Sequence, residues 1–272
     1  MKWKELIKES AWVVQDLLTK EECEHFVQRA ESLGIHDKTA GGDVRHRNST
    51  TVAMDDKDMA DRIFERIKNH IPREILIDEH YQNPGLIHNK DLLHGKWKPY
   101  ALNFRWRIVC YPGQGHFGPH RDGHHQVDEN HRSFITVNGF LTERPPGFGG
   151  ATRFVKDDID AVLNNGGIFS TAESDVLHRV EAEQVGTASV FFHDLMHDGE
   201  PLKEGSPPKW LFRTDIMYER DPETAPKLKP TEVEARKCLA LAEEAESKGE
   251  ISKAISLYNR AYRLDPRLED RQ

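Results

Sequence analysis

Cysteine is scarce in this chain: Cys23, Cys110 and Cys238 are the 3 among 272 residues. An odd and scattered set of thiols excludes a disulfide framework and fits a reducing compartment. Long apolar runs are missing as well. No stretch approaches the ~18 consecutive apolar residues of a membrane-spanning helix, and the opening Met1-Lys2-Trp3-Lys4-Glu5 lacks the apolar segment of a secretory leader. A soluble cytoplasmic or nuclear protein with no membrane partner is therefore expected. Basic excess is absent too. A formal net charge of -8 argues against a nucleic-acid partner, because such binders concentrate Lys and Arg to neutralise phosphates. The hydrophobic fraction of 37% and charged fraction of 31% describe a modest core under a well-solvated surface. The length allows one sizeable domain and a small appendage.

The apolar residues that are present change period twice. Residues 19–33 open with Thr19 and Glu22 in a capping-box pattern and set Cys23, Phe26, Val27, Ala30 and Leu33 at helical spacing. A second amphipathic stripe runs through Ala60, Ile63, Phe64, Ile67 and Ile71, and Pro72 stops it. Residues 73–100 carry no clear period, with Trp97 and Tyr100 as candidates to line a cleft. From Asn103 the period becomes two: Phe104, Trp106, Ile108 and Cys110 alternate with Arg105, Arg107, Val109 and Tyr111. Strand-like runs follow at 133–141, 151–155, 167–171, 176–182, 187–193 and 209–218. Pro145-Pro146-Gly147, Gly149-Gly150, Asn165-Gly166-Gly167 and Pro207-Pro208 punctuate them. Many short strands without intervening helices predict a sandwich or jelly roll.

Helical periodicity returns near the end. Pro222, Pro226 and Pro230 mark a semi-rigid linker, 221–231. Helices are expected at 232–247 and 251–264, broken at Lys248-Gly249. Leu241, Gly249, Ala254, Tyr258, Ala261 and Pro266 approximate the spacing of a single tetratricopeptide unit, with Cys238 where an aromatic residue is usual; a simple helical hairpin is the other reading. The expected organisation is a domain at 1–220, with supporting helices in 1–100 and a β core at 101–220, followed by the linker and a hairpin at 232–272. One such unit cannot bury both its faces, so it should dock on the β domain, bind a partner such as an adaptor protein, or begin a longer array.

The most informative stretch is Tyr111-Pro-Gly-Gln-Gly-His-Phe-Gly-Pro-His-Arg-Asp-Gly123, a strand, a glycine turn and a second strand. Alternate strand residues share a face, so His120 and Asp122 point together and Arg121 points away. One imidazole and one carboxylate on a common face, joined by a second imidazole from elsewhere, form the 2-His-1-carboxylate set that leaves coordination positions open. A His-x-Asp frame alone is common by chance, so the flanks decide its weight.

Those flanks occur in a recognisable order. Leu102-Asn103 with Arg105 and Arg107 leads to Tyr111 and Gly113, then to Phe117-x-x-His120-x-Asp122-Gly123. Gly149-Gly150-Ala151-Thr152-Arg153-Phe154 and Gly186-Thr187-Ala188-Ser189-Val190-Phe191-Phe192 come next. His197-Asp-Gly-Glu-Pro with Gly205, then Lys209-Trp210, Arg213-Thr-Asp and Tyr218 complete the series. The span from Leu102 to Tyr218, with the helix start at Leu18–Cys23, resembles the prolyl 4-hydroxylase-like branch of the Fe(II)/2-oxoglutarate-dependent dioxygenases. The resemblance implies a mainly β fold, a double-stranded β-helix (jelly-roll) core with supporting N-terminal helices, to which the periodicity beyond the linker adds a C-terminal α-hairpin. It implies Fe(II), 2-oxoglutarate and O2 as cofactor and cosubstrates, with ascorbate a further candidate. It also implies hydroxylation of a protein or peptide side chain, prolyl first, coupled to release of succinate and CO2; the substrate rests on analogy, since one fold hosts many.

By the same resemblance His120, Asp122 and His197 hold the metal. His178 is the competing third ligand, matching a related hydroxylase subgroup that would place a basic residue where Ala188 stands, and His193 is a third alternative. The distal carboxylate of 2-oxoglutarate needs a buried cation. Lys209 aligns with the family's anchoring lysine, Arg213 shares its strand face four residues on, and Tyr111 is the hydroxyl donor to the same cosubstrate; both cations stay open at this point. The alternative function is a non-enzymatic jelly-roll scaffold that acts through the hairpin.

Overall fold

The computed structural model describes residues 1–34, 37–38, 42–83, 85–86, 90–157, 159, 162–163, 166–247 and 249–271. Of the expected punctuation, Asn165 and Lys248 lie outside the described residues. The chain forms two compact units, one of Met1–Ile75, Gln82–Ile87 and Lys98–Glu219, the other of Leu76–Tyr81, His88–Trp97 and Arg220–Gln272. Among the described residues no helix is long and apolar enough to cross a membrane.

The first unit begins with a hairpin that the periodicity did not predict, β1 (Lys2–Ile7) and β2 (Ala11–Gln15). Lys2, Lys4 and Glu5 break its alternation, as suits an outer edge strand that must not recruit further strands. Helix α1 (Lys20–Ser32) starts at the expected capping box, where Thr19 Oγ1 accepts from the Glu22 amide at 3.2 Å and a Glu22 carboxylate oxygen accepts from the Thr19 amide at 3.0 Å. Short strands β3 (Arg47–Asn48) and β4 (Thr50–Asp55) precede α2 (Lys57–Ile67), which Asp56 caps through the Met59 amide at 2.9 Å. The helix ends earlier than its stripe, and Ile71 is buried from beyond the helix.

The alternating region supplies β5 (Arg105–Tyr111), β6 (His116–His120), β7 (His131–Phe140), β8 (Thr152–Val155), β9 (Val176–Val180), β10 (Ala188–Phe192), β11 (His197–Gly199) and β12 (Lys209–Arg220). These distribute over two antiparallel sheets. One runs in the order β1-β2-β10-β7-β12-β5-β4 and the other β9-β8-β11-β6-β3. Chain order therefore passes repeatedly from one sheet to the other, which makes the fold a double-stranded β-helix. Phe140, Phe191 and Phe154, from strands of both sheets, share one buried cluster with Ala11 and Leu195. Phe26 of α1 packs on Trp106 and Phe212, with ring centroids 4.8 and 6.0 Å away, and so buries one face of the larger sheet.

The second unit holds helices α3 (Pro230–Ser247) and α4 (Ile251–Leu264). Helix α3 begins two residues before the expected 232, with Pro230 in its first position, where a missing amide hydrogen costs nothing. Ala235, Cys238, Leu239, Ala261 and Leu268 form the core, and Leu92 packs against it, so the hairpin shares its core with a segment from before the β region. Trp97 also differs from expectation. It is fully buried, and its indole nitrogen donates to the Leu93 carbonyl at 2.8 Å. Tyr100 of the first unit is 42% exposed and meets the His131 ring edge-on. Neither lines the pocket described below.

Gly139 on β7 stands opposite Phe212, and a Cβ there would lie 2.3 Å from the Phe212 ring. Because α1 pins that ring from outside, Gly139→Ala should destabilise the fold by about 1–3 kcal/mol, read as a lower urea midpoint at unchanged slope.

Candidate active site

A cavity of about 460 Å³ opens between the two sheets. Its larger wall is made of cross-strand rungs on one face of β5 and β12, with Tyr111 opposite Lys209, Val109 opposite Leu211 and Arg107 opposite Arg213. Thr51 and Ala53 of β4 extend the wall on one side and Asn138 of β7 on the other. Phe117 and His120 of β6, Thr152 of β8 and His197 of β11 form the facing wall. Strand pairing explains the convergence of residues distant in sequence, since His120 and His197 are register partners between β6 and β11.

His120, Asp122 and His197 offer ligand atoms that all lie within 4.8 Å of one another. His120 Nδ1 sits 2.9 Å from the Gly118 carbonyl and His197 Nδ1 2.9 Å from the Leu195 carbonyl. A carbonyl only accepts, so each Nδ1 carries the proton and each Nε2 keeps its lone pair. Those Nε2 atoms lie 3.9 and 3.8 Å from the two Asp122 oxygens. Burial, then the neighbouring His197, pulls the His120 pKa well below the usual range, which keeps it a neutral donor. Two imidazoles with Nε2 turned to the cavity and one ionised carboxylate fit a first-row divalent ion such as Fe(II).

Asp122 is held from several directions. Its amide donates to the His193 carbonyl at 3.0 Å, and Thr136 Oγ1 donates to its Oδ2 at 2.7 Å. The Thr136 hydroxyl lies 2.8 Å from His193 Nδ1, and His193 Nε2 lies 2.8 Å from Ser133 Oγ. His193 is thus occupied behind the site, with both ring nitrogens engaged. Burial works to raise the Asp122 pKa, but Arg213, then His197 and His120, outweigh it and hold the carboxyl well below its ordinary range. His178, on β9, is the register partner of Phe154 on β8, and it is not among the residues lining the cavity.

The two candidate anchors for an anion occupy different situations. Lys209 is 2% exposed, and among the described residues no carboxylate lies within ion-pair distance of it. Its Nζ rests 5.0 Å from the Tyr111 ring centroid and 5.2 Å from that of Phe140. Burial, then the Arg144 charge, pulls its pKa down to about 7. Tyr111 is pushed up to about 12 by burial and stays a protonated hydroxyl. Arg213 is instead engaged: Nε lies 3.3 Å from Asp122 Oδ2, and Nη2 donates to the Gly123 carbonyl at 2.8 Å and lies 3.3 Å from Asp215. Asn138 adds a buried Oδ1 with no partner among the described residues.

Sequence reading missed Thr136, Asn138 and Arg47. Thr136 and Asn138 belong to an apolar-looking strand and acquire meaning only through register. Arg47 lies in a strand of two residues, too short to show a period.

Neither a protein-family model nor a curated protein matches the sequence. Solved structures do resemble the fold. A viral collagen prolyl hydroxylase from Paramecium Bursaria Chlorella virus-1 is 14% identical over 77% of this chain and 96% of its own, at a TM-score of 0.44. A Pseudomonas putida prolyl-4-hydroxylase is 15% identical over 79% and 94%, at 0.47. A Trichoplax adhaerens prolyl hydroxylase, solved with a hypoxia inducible factor oxygen degradation domain peptide fragment, is 11% identical over 80% and 86%, at 0.45.

Alanine at His120, Asp122 or His197 should abolish stoichiometric retention of Mn(II) or Fe(II), measured by elemental analysis after desalting. His178→Ala should retain the ion, since that side chain does not line the cavity.

Proposed function

We propose that this protein is an Fe(II)- and 2-oxoglutarate-dependent oxygenase that hydroxylates a side chain of a protein or peptide, with proline the first candidate from the sequence motifs. The observation that carries the reading is Lys209, a buried cation without a counter-ion among the described residues, in the cavity that also holds the His120, Asp122 and His197 donor set. An unpaired buried charge is costly and persists where a ligand completes it.

His120, Asp122 and His197 would hold the iron, and their fixed tautomers keep two lone pairs and one carboxylate aimed at it. When bound, iron would supply O2 activation coupled to oxidative decarboxylation of 2-oxoglutarate to succinate and CO2. Lys209 pairs with the distal carboxylate of the cosubstrate, and Tyr111 donates its hydroxyl hydrogen to the same group. Arg213 keeps Asp122 ionised while the cavity is dry. Val109 and Leu211 exclude water along the wall between these charges. No described residue of the second unit lines this cavity, and we assign the chemistry to the β-helix unit alone. Iron-dependent release of succinate separates this reading from that of a non-enzymatic scaffold.

Lys209→Met should weaken 2-oxoglutarate binding to the Mn(II) protein by two to four decades, about 3–5 kcal/mol, because the distal carboxylate is left unpaired. Arg213→Met should change that affinity by less than about tenfold, since its charge serves Asp122. Without cosubstrate the sign reverses: Lys209→Met should stabilise the protein by about 1–3 kcal/mol at pH 7, by removing a buried charge that has no counter-ion among the described residues.

The pH dependence follows from the same lysine. Its folded pKa of about 7 lies below its ordinary 10.5, so between these values the unfolded chain binds more protons. The stability contributed by this group is complete above about 10.5 and declines as pH falls toward about 7. Cosubstrate affinity should run the other way, weakening as pH rises above 7, with proton uptake visible by calorimetry in two buffers of different ionisation enthalpy. A pH-independent affinity in wild type would remove Lys209 from the role.

A further inference from the structure

The cavity contains more positive charge than the proposed metal and cosubstrate use. Arg47, Arg107, Lys209 and Arg213 line it, against the carboxylates of Asp122 and Asp198. Asp198 is already neutralised by Arg153, whose Nε donates to it at 2.7 Å, and Asp122 is matched by Arg213 at 3.3 Å. A divalent ion and the doubly charged 2-oxoglutarate add no net charge, so the excess of Lys209, Arg47 and Arg107 is unchanged when both are bound, and of these Lys209 is the one assigned to a cosubstrate carboxylate. Arg47 and Arg107 remain.

Neither of these two charges meets a carboxylate among the described residues. Arg107 and Arg213 stand directly opposite on one face of adjacent strands, where like charges repel. Arg213 finds Asp122 and Asp215, whereas among the described residues the Arg107 side chain has no hydrogen bond or ion pair. Arg107 is an exposed residue whose side chain lines the cavity; partial desolvation there, then Arg213, pulls its pKa below its usual value, so an anion in the cavity would relieve the repulsion between the two arginines. Beside it on the next strand is Ala53, too small to fill the space above the rung. Arg47 is fixed by neutral groups: Nε donates to Ser49 Oγ at 2.8 Å and Nη2 to Thr51 Oγ1 at 3.1 Å. Its guanidinium lies 4.5 Å over the Phe117 ring, and that ring stacks on His120 at 3.5 Å between centroids. The charge is oriented and left unneutralised, one ring away from a proposed metal ligand.

We infer that the primary substrate is an anion, presenting a carboxylate to Arg107 and Arg47 beside the carbon that reacts. The chain's net charge of -8 would repel such a substrate elsewhere, so the cavity supplies the local attraction. The carboxylate can belong to an acidic residue in a peptide or to a free acid. This inference rests on the reading of Lys209 as the cosubstrate anchor, which leaves the two arginines available.

The test is calorimetric titration of the Mn(II) protein, anaerobic, with and without 2-oxoglutarate. The probes are two short synthetic peptides identical except for glutamate or glutamine flanking a central proline, with N-acetylglutamate and N-acetylglutamine as the free-acid pair. The glutamate member of at least one pair should bind roughly tenfold or more tightly than its neutral twin at low salt, and the pair that discriminates identifies the source. Arg107→Gln and Arg47→Gln should each erase most of that preference, and Arg107→Lys should keep part of it, all three leaving 2-oxoglutarate affinity unchanged. Equal binding within both pairs overturns the inference, as does a preference that survives Arg47→Gln/Arg107→Gln. Loss of 2-oxoglutarate binding in wild type overturns the cosubstrate reading instead, and is seen in the same titrations without any probe.

Discussion

Charge buried between two sheets is the constraint on which this structure depends. Asp122 is 7% exposed in its side chain, and it survives as an ion because Arg213 and Thr136 face its carboxylate while its own amide is tied to the His193 carbonyl. Each of those partners comes from a different strand or the turn after one. The sheets must therefore meet in one register for the carboxylate to be matched at all. A slip of one residue in β12 would send Arg213 and Lys209 to the opposite face and leave Asp122 uncompensated.

The same matching separates the two cations of β12. They share a face, and sequence logic could not choose between them. Structure divides them by neighbourhood: Arg213 lies where carboxylates already are, and Lys209 lies among aromatic rings. An arginine's permanent charge and planar fork suit the first environment, and a lysine that can shed its proton suits the second. A buried lysine near neutrality is tolerable in an empty pocket and attractive in an occupied one.

Much of this was legible in the residues. Alternation from Asn103 onward marked the strands, Thr19 and Glu22 marked a helix start, and the shared face of His120 and Asp122 supplied two of the three members of a donor set. What escaped has a common cause. The β1–β2 hairpin carries charges at outward positions of an edge strand, so its pattern imitates a loop. Arg47 sits in a strand too short for periodicity, while Thr136 and Asn138 look like ordinary core-strand residues until pairing with β12 places them. Trp97 was expected near a cleft on aromatic character alone, and burial of its ring beneath Arg220 shows that size and polarity do not report position. The proposed donor set illustrates the same limit, because His197 and His178 both lie in strand-rich sequence and strand register brings His197 to Asp122.

The β2 strand pairs with β10, with Val14 opposite Ala188 and Trp12 opposite Val190. Most of the β region intervenes along the chain, so β2 leaves the ribosome long before the strand that completes it. Until then Trp12, Val13 and Val14 form an unpaired apolar edge on a nascent polypeptide. Loop-closure entropy must be met before that contact gives anything back, which makes the assembly slow and leaves the β1–β2 hairpin exposed to chaperones, or to the same strand of a neighbouring chain, for much of synthesis.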